Sequence, residues 1–136
     1  MRRGIKIGSH ICKLGSVQDR AFKNLDSDIE KVKFSTFAVL DDDKKDQMID
    51  LIEKARLEGD SIGGTLETVI DGLPAGVGEP MFDSVESMLS HMLFSIPGVK
   101  GVEFGAGFSF ADMYGSEAND PFAIKVGKIL RFCSVF

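Results

Sequence analysis

The stretch Gly72–Asp120 reads GLPAGVGEPMFDSVESMLSHMLFSIPGVKGVEFGAGFSFADMYGSEAND, and the reading of the fold turns on how it divides. A Gly/Pro loop runs to Pro80. Pro80 suits the first turn of a helix near 81–95, where a missing amide hydrogen costs little, and Glu79 beside it suits the positive end of the helix dipole. Phe82, Val85, Leu89 and Met92 repeat at helical spacing, flanked by Met88 and Leu93. A methionine-rich stripe of this kind reads as core; His91 lies off it, on the wet face. Pro97-Gly98 stops the helix. Val102 and Phe104 then share one parity and Glu103 the other, which predicts a strand near 99–105. Gly101, Gly105 and Gly107 remove side chains at alternate positions. The bare backbone suits a flat ligand or the close packing of another strand.

Upstream, Gly4–Val17 reads as a strand near 5–15. Ile5, Ile7 and Ile11 share one face; Lys6, His10, Cys12 and Leu14 share a mixed second face. His10 reads as a strand histidine hydrogen-bonded in place, because the local sequence lacks the partners a catalytic histidine needs. Residues 18–41 are polar and aperiodic, apart from a short helical turn within AFKNLDSDIEKVKF, and read as a surface insertion. Asp41-Asp42-Asp43 caps a helix near 43–58. Met48, Leu51, Ile52 and Ala55 form its apolar stripe, and Gly59 ends it. A second strand near 61–73 follows. Gly63-Gly64 predicts a bulge or a close backbone approach within it, and Glu67 points to solvent. KILRFCSVF, residues 128–136, reads as a last short strand.

Composition narrows the class. The chain has 136 residues, 43% hydrophobic and 27% charged, with a net charge of −5, which suits one globular domain. That charge gives no footprint for nucleic acid. No apolar run approaches the roughly 20 residues needed to span a bilayer. Cys12 and Cys133 lack metal-ligand spacing and read as reduced thiols, which places the protein in the cytoplasm. There is no metal cluster, no nucleophile–base pair and no complete GxGxxG, Walker or GxSxG motif. The expected fold is α+β: a β-α-β sandwich fragment with a mainly antiparallel sheet and two main helices, closest to a split βαβ or ferredoxin-like form.

Three pieces of the opening stretch carry a resemblance. One is Gly76-Val77-Gly78-Glu79-Pro80 with Phe82-Asp83. The next is Ser95-Ile96, Pro97-Gly98, then Lys100-Gly101-Val102-Glu103-Phe104-Gly105 and Gly107-Phe108. The last is Gly115-Ser116-Glu117 with Asn119-Asp120. In this order and spacing they resemble chorismate synthase, as do the upstream GDSIGG and GIKIGSHI pieces. The resemblance covers most of the chain and implies that residues 1–136 form a single partial domain, about the middle third of such an enzyme. It implies a carbon–oxygen lyase of the shikimate pathway that converts 5-enolpyruvylshikimate 3-phosphate to chorismate and phosphate with reduced FMN. It also implies a cytoplasmic homo-oligomer, a tetramer in the family.

The same resemblance places Pro97 and Gly98 against the flavin, although the family often has Ala where Gly98 stands. It assigns no catalytic residue and no metal ligand to this chain. The family's GESHG, RPGHADY and RxSxRETA segments are expected before residue 1, and its NxxGGIxGGIS, KPT and RHD segments after the end. The pattern is lost near Leu130, as in a truncated or frame-shifted sequence. The fragment alone is therefore expected to be inactive. The competing expectation is a stand-alone α+β binding or assembly module without catalysis.

Overall fold

The computed structural model describes residues 4–74 and 76–119, with two strands further on, Phe122–Lys125 and Lys128–Arg131. Ala75, Asp120 and Cys133 lie outside the described residues. The chain forms two compact units, Met1–Gly72 and Leu73–Phe136.

In the first unit, strand β1 (Lys6–Leu14) turns at Gly15 into the two-residue strand β2 (Val17–Gln18). Gly15 has φ +54°, a conformation that favours glycine. Helices α1 (Leu25–Lys33) and α2 (Asp42–Leu57) follow, and strand β3 (Gly64–Asp71) returns beside β1. The sheet order is β2-β1-β3 with both pairings antiparallel. The α+β class is as expected. The strand order is not that of a split βαβ, because β1 joins its first partner through a tight turn rather than a helix. Gly64 makes the close approach foreseen for the Gly63-Gly64 pair: a Cβ there would sit 2.7 Å from the carbonyl oxygen of Lys13.

The packed face of β1 is the mixed one. Gly8 and His10 are buried, whereas Ile5 and Ile7 are exposed. Gly8 is small enough for α1 to press onto the strand; a Cβ there would lie 2.9 Å from Cγ1 of Ile29 and 3.3 Å from its Cα. The core comprises Ile29 and Val32 of α1, Val39 and Leu40, Met48 of α2 and Val69 of β3. Residues 18–41, expected as a surface insertion, thus supply four of these side chains. Composition misleads there because the core residues are few and set among charges that pair locally. Of the apolar stripe on α2, only Met48 is fully buried.

Capping explains where the helices start. The Asp41 side chain accepts the Asp43 amide at 3.2 Å, which satisfies one orphan donor of α2. At the other end Gly59 has φ +67° and follows Glu58. Helix α1 is held more firmly. Asp28 is buried, accepts the amides of Lys23 at 2.9 Å and Asn24 at 3.2 Å, and forms a bidentate pair with Arg20 at 3.0 and 2.7 Å. The Arg20 hydrogen bond, helped by the two amides, holds the Asp28 carboxyl far below the usual carboxylate range.

The second unit opens with a 3₁₀ turn, Met81–Asp83, followed by helix α3 (Val85–Phe94). The helix expected over 81–95 is thus broken at Ser84, which is extended (φ −62°, ψ 158°) and accepts the Ser87 amide at 3.2 Å. Ser84 can cap a helix and Pro80 has no side-chain acceptor, so the regular turns begin at Val85. No residue of α3 is buried; its Met88/Met92 stripe is exposed. The strand expected at 99–105 does not form among the described residues. A strand needs a hydrogen-bonded neighbour, and Val99–Phe104 has none there. Strands β4 (Phe122–Lys125) and β5 (Lys128–Arg131) pair as an antiparallel hairpin. The second of these opens the strand expected over 128–136.

A group whose carboxyl is held low in the folded state contributes stability above its unfolded pKa of about 3.9. That contribution is lost as pH falls through the window below it. Asp28→Asn should cost about 2 kcal/mol in urea unfolding near pH 7, the scale of hydrogen bonds to a charged group. The gap between variant and wild type should narrow from about pH 4 to about pH 2. A gap independent of pH would show that the Arg20–Asp28 pair does not carry the effect.

Candidate functional site

The two residues proposed for a cofactor, Pro97 and Gly98, sit in the turn that closes α3. Ser95 ends the helix, and the Val99 amide donates to the Ile96 carbonyl at 3.3 Å. Gly98 has φ +95°, so Ile96-Pro97-Gly98-Val99 is a turn of the type that places proline first and glycine second at its centre. A Cβ at Gly98 or at Gly101 would meet nothing within 4 Å. The turn therefore presents bare backbone to open space.

Beyond it, residues 101–104 lead to a second turn, in which the Gly107 amide donates to the Phe104 carbonyl at 3.0 Å. Gly107 has φ +54°, and a Cβ there would fall 2.0 Å from Oε2 of Glu103. This glycine allows the Glu103 carboxylate to fold back over the chain. Val102, Glu103, Gly107 and Phe108 line a concavity of about 190 Å³. That is smaller than the roughly 300–1,000 Å³ of a ligand pocket, and its lining carries a carboxylate and no cation. Phe108 and Phe110, on the 3₁₀ helix Gly107–Asp112, are exposed.

The other two pieces of the resemblance are also loops. In the first, Gly76 and Gly78 have φ +81° and +92°, and Met81 has φ +64°. A left-handed methionine is uncommon and strained. The Glu79 amide donates to the Asp83 carbonyl at 3.0 Å, which closes the loop on the 3₁₀ turn. In the GSE segment the Tyr114 amide donates to the Glu117 carboxylate at 3.0 Å, and the Glu117 amide returns to the Tyr114 carbonyl at 2.9 Å. Glu117 is thus used to shape its own turn.

A cluster in the first unit was only half foreseen. His10 is 1% exposed and hydrogen-bonded in place, as expected. Its partners are Asp19, with Nδ1 to Oδ2 at 2.9 Å, and Glu67, with Nε2 to Oε2 at 2.6 Å. Glu67 is therefore not a solvent-facing residue; it stands opposite His10 in the β1/β3 register. Both partners are distant in sequence and become visible only once strand pairing is known. Cys12 is a free thiol, pushed up from its ordinary pKa by burial, with the Glu67 and Asp19 charges adding to that. Among the described residues no group of three or more His, Cys, Asp or Glu side chains could hold a metal ion, and no helix is long and apolar enough to cross a membrane.

An antiparallel α+β unit followed by a helical unit of glycine-rich loops is the class that this geometry defines. Within that class, a family model described as chorismate synthase matches residues 1–131, and the chain belongs to the chorismate synthase family. The chorismate synthase of Methanosarcina barkeri (strain Fusaro / DSM 804) is 44% identical over 128 residues, covering 94% of this chain and 35% of that protein. That of Thermococcus gammatolerans is 53% identical over 89 residues, covering 65% of this chain and 25% of that protein. A crystal structure of chorismate synthase superposes with a TM-score of 0.81 at 28% identity, over 96% of this chain and 43% of the other. The chain spans about a third of the length of the curated relatives it matches.

Met81 gives a direct test of the loop's strain. It is 83% exposed, so Met81→Gly removes little packing while relieving the left-handed backbone. The substitution should raise the stability of the second unit by about 1 kcal/mol, read as a higher urea midpoint with an unchanged slope. A lower midpoint would mean that the Met81 side chain, not its backbone, holds the loop.

Proposed function

We propose that this chain is the segment of a chorismate synthase that offers one backbone wall to reduced FMN, at Pro97-Gly98. The enzyme so formed turns 5-enolpyruvylshikimate 3-phosphate into chorismate and phosphate. The supporting observation is the Ile96–Val99 turn: Gly98 is left-handed, has no Cβ, and faces open space. A flat ring can lie against such a surface, so the residues fit the isoalloxazine face. The concavity lined by Val102, Glu103, Gly107 and Phe108 carries a carboxylate and no cation, so it does not suit the FMN phosphate. Reduced FMN, when bound, supplies transient electron density for the elimination. The chain's part is to position the ring and exclude water from one side of it.

By resemblance, the acid–base groups and the cationic clamps for the leaving phosphate belong to segments outside these 136 residues. The chain alone, given reduced FMN and the enolpyruvyl substrate under anaerobic conditions, should form no detectable chorismate. The positive test is a chimera in which residues 1–131 replace the matching segment of the Methanosarcina barkeri enzyme. The chimera should make chorismate, and Gly98→Val in it should weaken FMN binding about tenfold or more, a loss of about 1.4 kcal/mol. A folded, inactive chimera, or full FMN affinity in the valine variant, would defeat the assignment.

The family's oligomeric habit is extended to this chain on a separate observation. Phe82, Met88, Met92, Phe108 and Phe110 of the second unit are all exposed, and side chains of this kind mark an interface where they join into one apolar patch. Light scattering at high protein concentration should report self-association; a clean monomer would rule it out.

A further inference from the structure

His10 lies on the inner face of β1 with a carboxylate on each ring nitrogen, Asp19 at Nδ1 and Glu67 at Nε2. The edge of Phe22 closes a third side, its ring centroid 4.9 Å away. A neutral imidazole carries one N–H and so can serve one of these two acceptors. The second bond requires one further proton within the cluster.

Asp19 is not its holder. Its Oδ1 accepts the amides of Arg20 and Asp41, each at 2.9 Å, and its Oδ2 accepts the Leu40 amide at 2.6 Å as well as the ring. Four donors fill the acceptor sites of a carboxylate and leave no place for a carboxyl hydrogen. The additional proton therefore lies between His10 and Glu67, on one or shared by both, and is a property of the pair. No lysine or arginine among the described residues bonds Asp19 or Glu67. Arg20, nearest in sequence to Asp19, is committed to Asp28. Without the extra proton, two largely buried carboxylates would face an uncharged ring, an arrangement that burial strongly disfavours.

We propose that His10, Asp19 and Glu67 form a proton-operated clamp, in which the first unit closes with one more proton than the same three groups hold in the unfolded chain. The clamp joins β1 to β3 through Glu67. Through Asp19 it joins β1 to Leu40 and to Asp41, the cap of α2. Loss of the proton breaks the β3 side first and weakens the hold on the α2 terminus.

The sign follows from linkage. In the unfolded chain the histidine gives up its proton above about pH 6.5 and both carboxyls are already ionised. From there upward the folded state binds the extra proton and the unfolded state does not, so stability falls as pH rises. Cys12, the other titratable side chain near the cluster on β1, is held protonated by burial and by the same two carboxylates. Its contribution has the same sign and begins at higher pH, where an unfolded thiol ionises at about 8.5.

The test uses the full chain and its Glu67→Gln variant. A glutamine amide can donate to the free nitrogen of a neutral ring whose other N–H serves Asp19, so the variant needs no additional proton. Above about pH 7 the wild-type unfolding constant in urea should rise with pH, by no more than about tenfold per pH unit. In Glu67→Gln the rise should be at least about threefold shallower. Equal slopes in the two proteins would overturn the proposal. Should the variant not fold, NMR of the wild type at about pH 7.5 decides. A doubly protonated His10 ring or a protonated Glu67 carboxyl is expected. A neutral ring beside an ionised Glu67 would refute the clamp.

Discussion

Asp19 carries four hydrogen bonds that tie three parts of the first unit together. One side of its carboxylate takes the Arg20 and Asp41 amides, and the other takes Leu40 and the His10 ring. A buried carboxylate is costly unless such donors surround it, so the chain segments that supply them are fixed relative to one another. The turn after β2, the entry to α2 and the inner face of β1 all meet at this point. The apolar core around Met48 and Val39 forms beside it. Six buried apolar side chains make a small core, and the polar cluster adds the specificity that such a core lacks.

The second unit rests on a different constraint, the conformational freedom of its glycines. Gly76, Gly78, Gly98 and Gly107 all have positive φ, and they set the turns that lead into and out of α3. These loops are also the pieces that most resemble chorismate synthase. Each of these glycine positions holds a left-handed backbone that glycine adopts without steric cost. Helix α3 buries none of its residues.

The sequence by itself determined what local chemistry decides. The aspartate cap and glycine stop of α2, the two long strands, the Pro-Gly turn and the order of the family's loops all depend on residues a few positions apart. The α+β class was therefore legible from the residues, and the family from the resemblance of its loops. Tertiary structure decided everything that depends on a partner. It chose the mixed face of β1 as the packed one, because Gly8 admits α1 and His10 finds carboxylates there. It buried Val39 and Leu40 from a segment that composition marked as surface. It left Val99–Phe104 without a ladder, because a strand is a property of two chains of backbone. It brought Glu67 to His10 across 57 positions. Alternation along one strand shows which residues share a face, but only pairing in register shows which face is buried and what it meets.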